Sequence, residues 1–387
     1  MSGGAFGGDG FAASGADGES FSTTHVPLVG DARDLPLPDD SVELVVTSPP
    51  YPMIEQWDDL FASLDPAIAE ALGLEIGDGE DSFDGDDRAD DLDGEAAFDA
   101  MHDILYAAWE EVQRVLVPGG IACVNVGDAT RTLDRFRVYQ NHARIVDAFA
   151  DLGFDPLPEI LWRKPANSAA KFMGSGMVPP NAYATLEHEY VLVFRNGERR
   201  SLEPGADRRY EAAYFWEERN EWFSDVWTDV RGERQALGDG PVADDTVRER
   251  SAAYPIEIPH RLVNMFSVYG DTVLDPFWGT GTTTTAAMAS GRHSVGIERD
   301  PVLLRAFEDG VETVPQRSRA IAADRLAAHR EFVANRRAAG DELGYDAEFY
   351  DVPVRTKQER RLRLYAVESV DRTAAGYRCR HVPAEQE

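Results

Sequence analysis

The chain has 387 residues, 43 % of them hydrophobic, and 38 basic against 70 acidic side chains give a formal net charge of −32. That length and apolar fraction suit one large domain or two ordinary ones and exclude a disordered chain. No apolar run reaches the length of a membrane span, the N-terminus lacks a signal-peptide layout, and Cys123 and Cys379 stand alone outside any CxxC pair; a cytoplasmic protein with no membrane contact, no disulfide framework and no zinc site is expected.

In chain order, residues 1–23 are rich in Gly, Ala, Ser and Phe without apolar periodicity and read as a disordered tail, with order beginning near Val26. A turn at Gly30-Asp31 precedes the strand Val42–Val46, which runs into Thr47-Ser48-Pro49-Pro50-Tyr51, and two prolines force the chain out of the sheet. Residues 75–99 form an acidic insertion. Apolar spacing over 99–116 predicts a helix stopped by Pro118-Gly119-Gly120, followed by a strand over 121–126. A helix over 139–152 and strands near 160–162 and 190–194 close this half. From 197 to 250 periodicity is poor, and arginines (Arg199, Arg200, Arg208, Arg209, Arg219, Arg231, Arg234) interleave with Tyr210, Tyr214, Phe215, Trp216, Trp222 and Trp227. Strand, glycine turn, helix and strand then return over 272–297, with a helix near 317–338 and a terminal hairpin at 360–381. Strands alternating with helices in both halves predict a mostly parallel α/β sheet.

Two segments carry chemistry. In Leu274-Asp275-Pro276-Phe277-Trp278-Gly279-Thr280-Gly281-Thr282-Thr283 a hydrophobic strand feeds a glycine turn and a helix, so backbone amides are exposed to a ligand at the helix start. The next strand ends at Glu298, placed to bind both hydroxyls of a ribose. The third glycine of the dinucleotide fingerprint is missing, which leaves a nucleoside site. In Ser48-Pro49-Pro50-Tyr51, the serine side chain and the Pro49 carbonyl can accept both N–H bonds of an exocyclic amine, whose lone pair is otherwise delocalised into the base. The prolines stiffen that carbonyl, and Tyr51 offers a stacking face for an extruded base; no metal is needed.

On these residues the chain resembles the DNA amino-methyltransferases, the family that makes N4-methylcytosine and N6-methyladenine. DPFWGTGTT is similar to the family's donor-binding motif and TSPPY to its catalytic motif, with softer likeness in Gly30-Asp31-Ala32, Glu111–Gly120, Trp162–Pro165 and Tyr254–Leu262. The resemblance implies an α/β, Rossmann-like S-adenosylmethionine-dependent methyltransferase fold. The catalytic motif comes first in the chain, so the fold is circularly permuted (the β class), with an inserted target-recognition region. The implied division is a catalytic half at 24–164, target recognition at 165–250, a donor-binding half at 251–316 and a C-terminal helix and extension at 317–387. Ser48, Pro49, Pro50 and Tyr51 would be catalytic. Asp275, Phe277, Gly279, Gly281 and Thr282 would surround the methionine and sugar of S-adenosylmethionine, Glu298 would hold the ribose, and Asp31 would face the adenine end.

The implied partner is double-stranded DNA carrying a short site, CTAG being one example, with or without a cognate restriction endonuclease. Serine at 48 leans toward N4 of cytosine over N6 of adenine; an RNA or protein-amide substrate, or a DNA-binding protein without catalysis, are the alternatives. His188-Glu189 reads as structural or as a substrate-edge contact, Asp128 as a residue at the pocket mouth, and Arg355–Arg361 as either a phosphate contact or an exposed turn.

Lysine occurs only at 164, 171 and 357, and acid is spread along the whole chain. We read this charge as an adaptation to a cytosol of molar salt, where screening shortens the self-repulsion of carboxylates. The expected outcome is that thermal stability and activity both rise as KCl is raised into the molar range; activity that peaks at low ionic strength would contradict it.

Overall fold

The computed structural model describes residues 20–74, 92–133, 135–164, 178–231 and 254–384. Most of the acidic insertion and the two ends of the 165–250 region fall outside these residues. The strands are β1 (Phe21–Val29), β2 (Val42–Thr47), β3 (Leu116–Val126), β4 (Ala129–Thr132), β5 (Phe136–Tyr139), β6 (Asp155–Arg163), β7 (His188–Arg195), β8 (Val226–Trp227), β9 (Thr272–Asp275), β10 (His293–Glu298), β11 (Tyr345–Asp346), β12 (Pro353–Val354), β13 (Tyr365–Thr373) and β14 (Gly376–Pro383). The helices are α1 (Asp58–Leu64), α2 (Pro66–Leu72), α3 (Gly94–Val115), α4 (Asn141–Asp151), α5 (Asp207–Glu211), α6 (Trp216–Trp222), α7 (Glu257–Phe266), α8 (Thr282–Ala289), α9 (Pro301–Gly310) and α10 (Val314–Ala338).

One ten-stranded sheet runs β13-β14-β1-β10-β9-β2-β3-β7-β6-β8. Its centre, β1-β10-β9-β2-β3, is parallel, and β7 and β6 turn antiparallel on one flank as β14 and β13 do on the other. This is the Rossmann-like α/β fold that the resemblance implies. Successive residues of a strand face opposite sides of the sheet, and here both sides are covered. Val45 packs with Met101, Leu105 and Trp109 of α3 and Phe149 of α4, whereas Leu44 and Val46 pack with Ile258, Leu262 and Val263 of α7. That two-sided burial is why β2 reads as an almost unbroken apolar run.

Local signals set the helix starts. Asp93 accepts N–H bonds from Glu95 and Ala96, which starts α3 five residues before the spacing of its apolar face suggests. Asp300 accepts from Val302 and Pro301 opens α9. Strand β3 begins directly at Leu116, five residues ahead of expectation. Pro118-Gly119-Gly120 is not a helix stop but a bulge, across which the β2 register jumps from Val42↔Leu116 to Leu44↔Ile121.

The N-terminal tail also needs correction. Order starts by Phe21, inside the segment expected to be disordered through residue 23, because β1 gains partners on both sides that lie far away in sequence: Phe21 opposite His381, and His25 opposite both Ser294 and Tyr377. β1 therefore belongs with the donor-motif strands, although a linear division assigns residues from 24 onward to the catalytic half. The C-terminal hairpin β13–β14 is likewise an extension of the main sheet.

A buried polar cluster seals this joint. Thr23 Oγ1 lies 2.8 Å from both His25 Nε2 and His381 Nε2, and His25 Nδ1 is 2.9 Å from Ser294 Oγ. Burial holds His25 well below the usual imidazole range and His381 down to about 3; His260 is likewise lowered to about 3 and His102 to about 4. Lowered folded-state values mean that the unfolded chain takes protons first. The contribution of these histidines to stability is complete above about 6.5 and is lost as pH falls toward these values. Thermal midpoints at constant salt should fall progressively below that pH, and His381→Gln, though less stable at neutral pH, should show a shallower fall; an unchanged slope would count against this cluster as a source.

Candidate active site

The ladder between β2 and β9 covers only Leu44↔Val273 and Val45↔Leu274. Beyond it the carboxyl ends of the parallel strands part, which is where open α/β sheets bind ligands. A cleft of about 370 Å³ opens there, lined by Asp31 after β1, Ser48-Pro49-Pro50-Tyr51 after β2, Asp275, Pro276, Phe277, Trp278, Gly279, Thr280 and Thr282 after β9, and Glu298 at the end of β10. Every expected site residue except Gly281 lines it.

Asp275 is 3 % exposed. Its Oδ1 accepts from Thr47 Oγ1 at 2.7 Å and from the Phe277 N–H at 3.2 Å, and its Oδ2 accepts from Thr283 Oγ1 at 2.7 Å. Burial outweighs these bonds and pushes the carboxyl up to about 6. Glu298 is raised too, by burial, while its oxygens accept the Gly279 N–H at 2.8 Å and the Asp300 N–H at 2.9 Å. Asp31 is held below the usual range by the guanidinium of Arg33, 2.8 Å away.

The two glycines of the turn differ. Both have left-handed φ, +57° at Gly279 and +78° at Gly281. A Cβ on Gly279 would meet nothing within 4 Å, whereas one on Gly281 would sit 2.5 Å from Phe307 and 2.6 Å from Trp278. Gly281 thus serves packing at the start of α8 and does not line the cleft. Trp278 fixes a third glycine: its ring lies where a Cβ of Gly296 in β10 would be, at 2.0 Å, and its Nε1 donates to Thr284 Oγ1.

On the catalytic side, Ser48 Oγ lies 2.9 Å from Tyr51 Oη, which donates to Glu189 Oε2 at 3.2 Å and accepts from Asn125 Nδ2 at 2.9 Å. Lys164 pairs with the other oxygen of Glu189. Glu189 and Lys164 line the cleft as well, as do Trp57, Phe61, Ile104 and Leu105. Sequence reasoning left Glu189 as either structural or a substrate-edge contact, and the structure places it at the cleft, at the start of a strand antiparallel to β3. The apolar group carried no signal, because apolar residues at helical spacing read as core.

Asp128 is bonded to His142 Nδ1 at 2.8 Å and is not among the lining residues. Part of the arginine–aromatic stretch packs: Phe215, Trp222 and Trp227 are buried, Arg200 and Arg208 pair with Asp271, and Trp227 Nε1 donates to the Trp222 carbonyl. The basic stretch Arg355–Arg361 is held by acids too, through Arg355–Asp341, Arg360–Glu348 and Arg361–Asp207.

A family model described as DNA methylase matches residues 42–309. The Type II methyltransferase M.MthZI of Methanothermobacter thermautotrophicus is 45 % identical over 347 residues, covering 89 % of this chain and 90 % of that protein. The Type II methyltransferase M.MjaI of Methanocaldococcus jannaschii is 47 % identical over 292 residues, covering 75 % of this chain and 92 % of that one. The chain belongs to the N4/N6 amino-methyltransferase family of DNA methylases. Among solved structures, a putative DNA modification methylase of Thermus thermophilus complexed with S-adenosyl-L-methionine is 31 % identical, with a TM-score of 0.53 over 74 % of this chain and 92 % of that one.

S-adenosylmethionine is the methyl donor of such a methyltransferase, and the residues present fit it. Two desolvated carboxylates, Asp275 and Glu298, stand beside the glycine turn, with acceptor capacity left for an ammonium and for ribose hydroxyls. The volume lies within the range of about 300–1,000 Å³ typical of small-molecule pockets. Among the described residues no group of His, Cys, Asp and Glu could hold a metal ion, and no helix is long and apolar enough to cross a membrane.

Proposed function

We propose that the protein transfers the methyl group of S-adenosylmethionine to N4 of a cytosine flipped out of a short double-stranded DNA site. One observation carries this: the Ser48–Tyr51 motif and the Asp275–Glu298 carboxylates, more than two hundred residues apart in sequence, line one cleft. Bound there, S-adenosylmethionine supplies an electrophilic methyl group on a sulfonium. Asp275 takes its ammonium, Glu298 its ribose hydroxyls, and Asp31 with Arg33 lies at the adenine end. Ser48 Oγ and the Pro49 carbonyl accept the N–H bonds of the target amine and aim its lone pair at the methyl group, while Tyr51 stacks on the flipped base. Holding both partners in one cleft removes the entropic cost of their encounter from the barrier. The serine at 48 supports cytosine over adenine. The Type II relatives support a place in restriction–modification, either beside a cognate endonuclease or as an orphan enzyme.

The test is nucleoside mass spectrometry on unmethylated DNA incubated with the protein and S-adenosylmethionine in molar KCl. N4-methylcytosine is expected; N6-methyladenine would overturn the base assignment and keep the rest; the absence of both, with the donor still bound, would remove DNA as the substrate.

The Asp275 reading gives a second expectation. An ammonium favours the ionised carboxylate, and the donor-free protein protonates Asp275 at about 6. Donor affinity measured by calorimetry should be constant above that pH and weaken below it, approaching about tenfold per unit. Asp275→Asn should bind more weakly at neutral pH and show no such dependence; a parallel dependence in the variant would remove Asp275 from the ammonium site.

A further inference from the structure

We propose that Glu189 is the terminal proton acceptor of the methyl-transfer reaction, reached from the target amine through the hydroxyls of Ser48 and Tyr51. The inference rests on the amino-methyltransferase reading above and deepens it.

The hydrogen positions follow from counting. Tyr51 Oη has three polar neighbours: Ser48 Oγ and Asn125 Nδ2, each at 2.9 Å, and Glu189 Oε2 at 3.2 Å. A phenol hydroxyl has one hydrogen and two lone pairs. Asn125 Nδ2 can only donate and a carboxylate oxygen can only accept. The Tyr51 hydrogen therefore goes to Glu189, and the lone pairs receive Asn125 and the Ser48 hydroxyl. The Asn125 amide cannot be turned round: Nδ2 is 2.7 Å from Glu189 Oε2, and a flipped amide would set oxygen against oxygen. Ser48, its hydrogen spent on Tyr51, presents only lone pairs to the cleft, the polarity that an amine N–H requires.

The chain of donors also conducts. An exocyclic amine that gains a methyl group becomes cationic and must lose a proton. The bond formed is N–C and the bond broken is S–C, whose electron pair leaves with the thioether. The amine proton passes to Ser48 Oγ, the Ser48 proton to Tyr51 Oη, and the Tyr51 proton to Glu189 Oε2. Each hydroxyl gains one proton and loses one. The products are a neutral methylamino base, a neutral thioether and a protonated Glu189. Burial and the charge of Glu189 push Tyr51 well above the usual phenol range, so it carries the proton as a neutral hydroxyl and not as a phenolate.

Two features argue that this acid is placed and not incidental. Glu189 is 7 % exposed, yet its second oxygen is paired with Lys164, itself at the cleft. Gly127, just past β3, leaves room for the approach: a Cβ there would lie 3.2 Å from Glu189 Cγ and 3.3 Å from Tyr51 Cε2. Glu189 does not touch the base in this scheme. It is a positioning residue that polarises Ser48 and receives the proton.

Single-turnover methylation of duplex DNA by the full-length protein tests it. Glu189→Gln still accepts the Tyr51 hydrogen bond but takes no proton; the rate should fall about 100-fold, with dissociation constants for S-adenosylmethionine and DNA unchanged. In Glu189→Ala, formate should restore rate in a saturable way that chloride at equal concentration does not. Tyr51→Phe should cost a similar factor, and the Tyr51→Phe/Glu189→Gln double variant should be no slower than the slower single one, as for two parts of one chain. Additive losses, absence of formate rescue, or a wild-type rate in Glu189→Gln would each overturn the relay. So would loss of donor binding in both Glu189 variants, which would make the residue structural. Wild-type protein that methylates no DNA would overturn the functional reading and the relay with it, whereas an active wild type with an unimpaired Glu189→Gln overturns the relay alone.

Discussion

The site hangs on one buried carboxylate. Asp275 closes β9, and its two oxygens bind Thr47 at the end of β2 and Thr283 in the first turn of α8. The backbone ladder between β9 and β2 has already ended at Val45 and Leu274. Past that point the strands are no longer held in register by their ladder, and their divergence opens the cleft. Thr47 immediately precedes Ser48, so this side-chain bridge fixes where Ser48 stands relative to the glycine turn after β9. Thr283 in turn meets Tyr254 Oη at 2.6 Å, which extends the tie to the segment entering α7. The cost is visible in the carboxyl itself: even with three hydrogen bonds, burial raises it to about 6. A group left that close to neutrality gains from a cation beside it.

The charge pattern constrains how such a protein meets DNA. With a net charge of −32 the chain as a whole repels phosphate. Among the described residues, several arginines are committed within the protein. Arg131 pairs with the buried Asp58, Arg325 with Glu218, and Arg261 with Glu221, Asp229 and Glu257. The 197–231 stretch, which in sequence looks like an arginine–aromatic reading head, uses part of its large side chains to build a small core: Phe215 stacks on His329, and Trp227 lies beneath Arg261. DNA as substrate is therefore supported by family membership and not by the charge of the chain.

What the sequence disclosed was local in cause. The glycine turn, the diproline exit and the acid at the end of β10 are consecutive residues whose backbone demands can be read directly, and they meet in the cleft. What it concealed was made by distance. Phe21 reads as part of a low-complexity tail until His381 pairs with it. In sequence, Glu189 reads as either a structural residue or a substrate-edge contact until β7, running antiparallel to β3, brings it beside Asn125 and Tyr51. Gly281 also depends on distance: Phe307, from α9, stands with Trp278 where its Cβ would be.

That arrangement changes how position 48 should be read. Taken alone, serine there contrasts with the acidic or amide residue common in the family's adenine enzymes, and the contrast favours cytosine. In the folded protein the serine is backed through one phenol by the carboxylate of Glu189. The acidity that would otherwise sit in the motif is present at one remove, on a different strand. A network of this kind reads an amine, which cytosine and adenine share. The walls that would meet the ring of either base, Tyr51, Trp57 and Lys164 among them, line the same cleft.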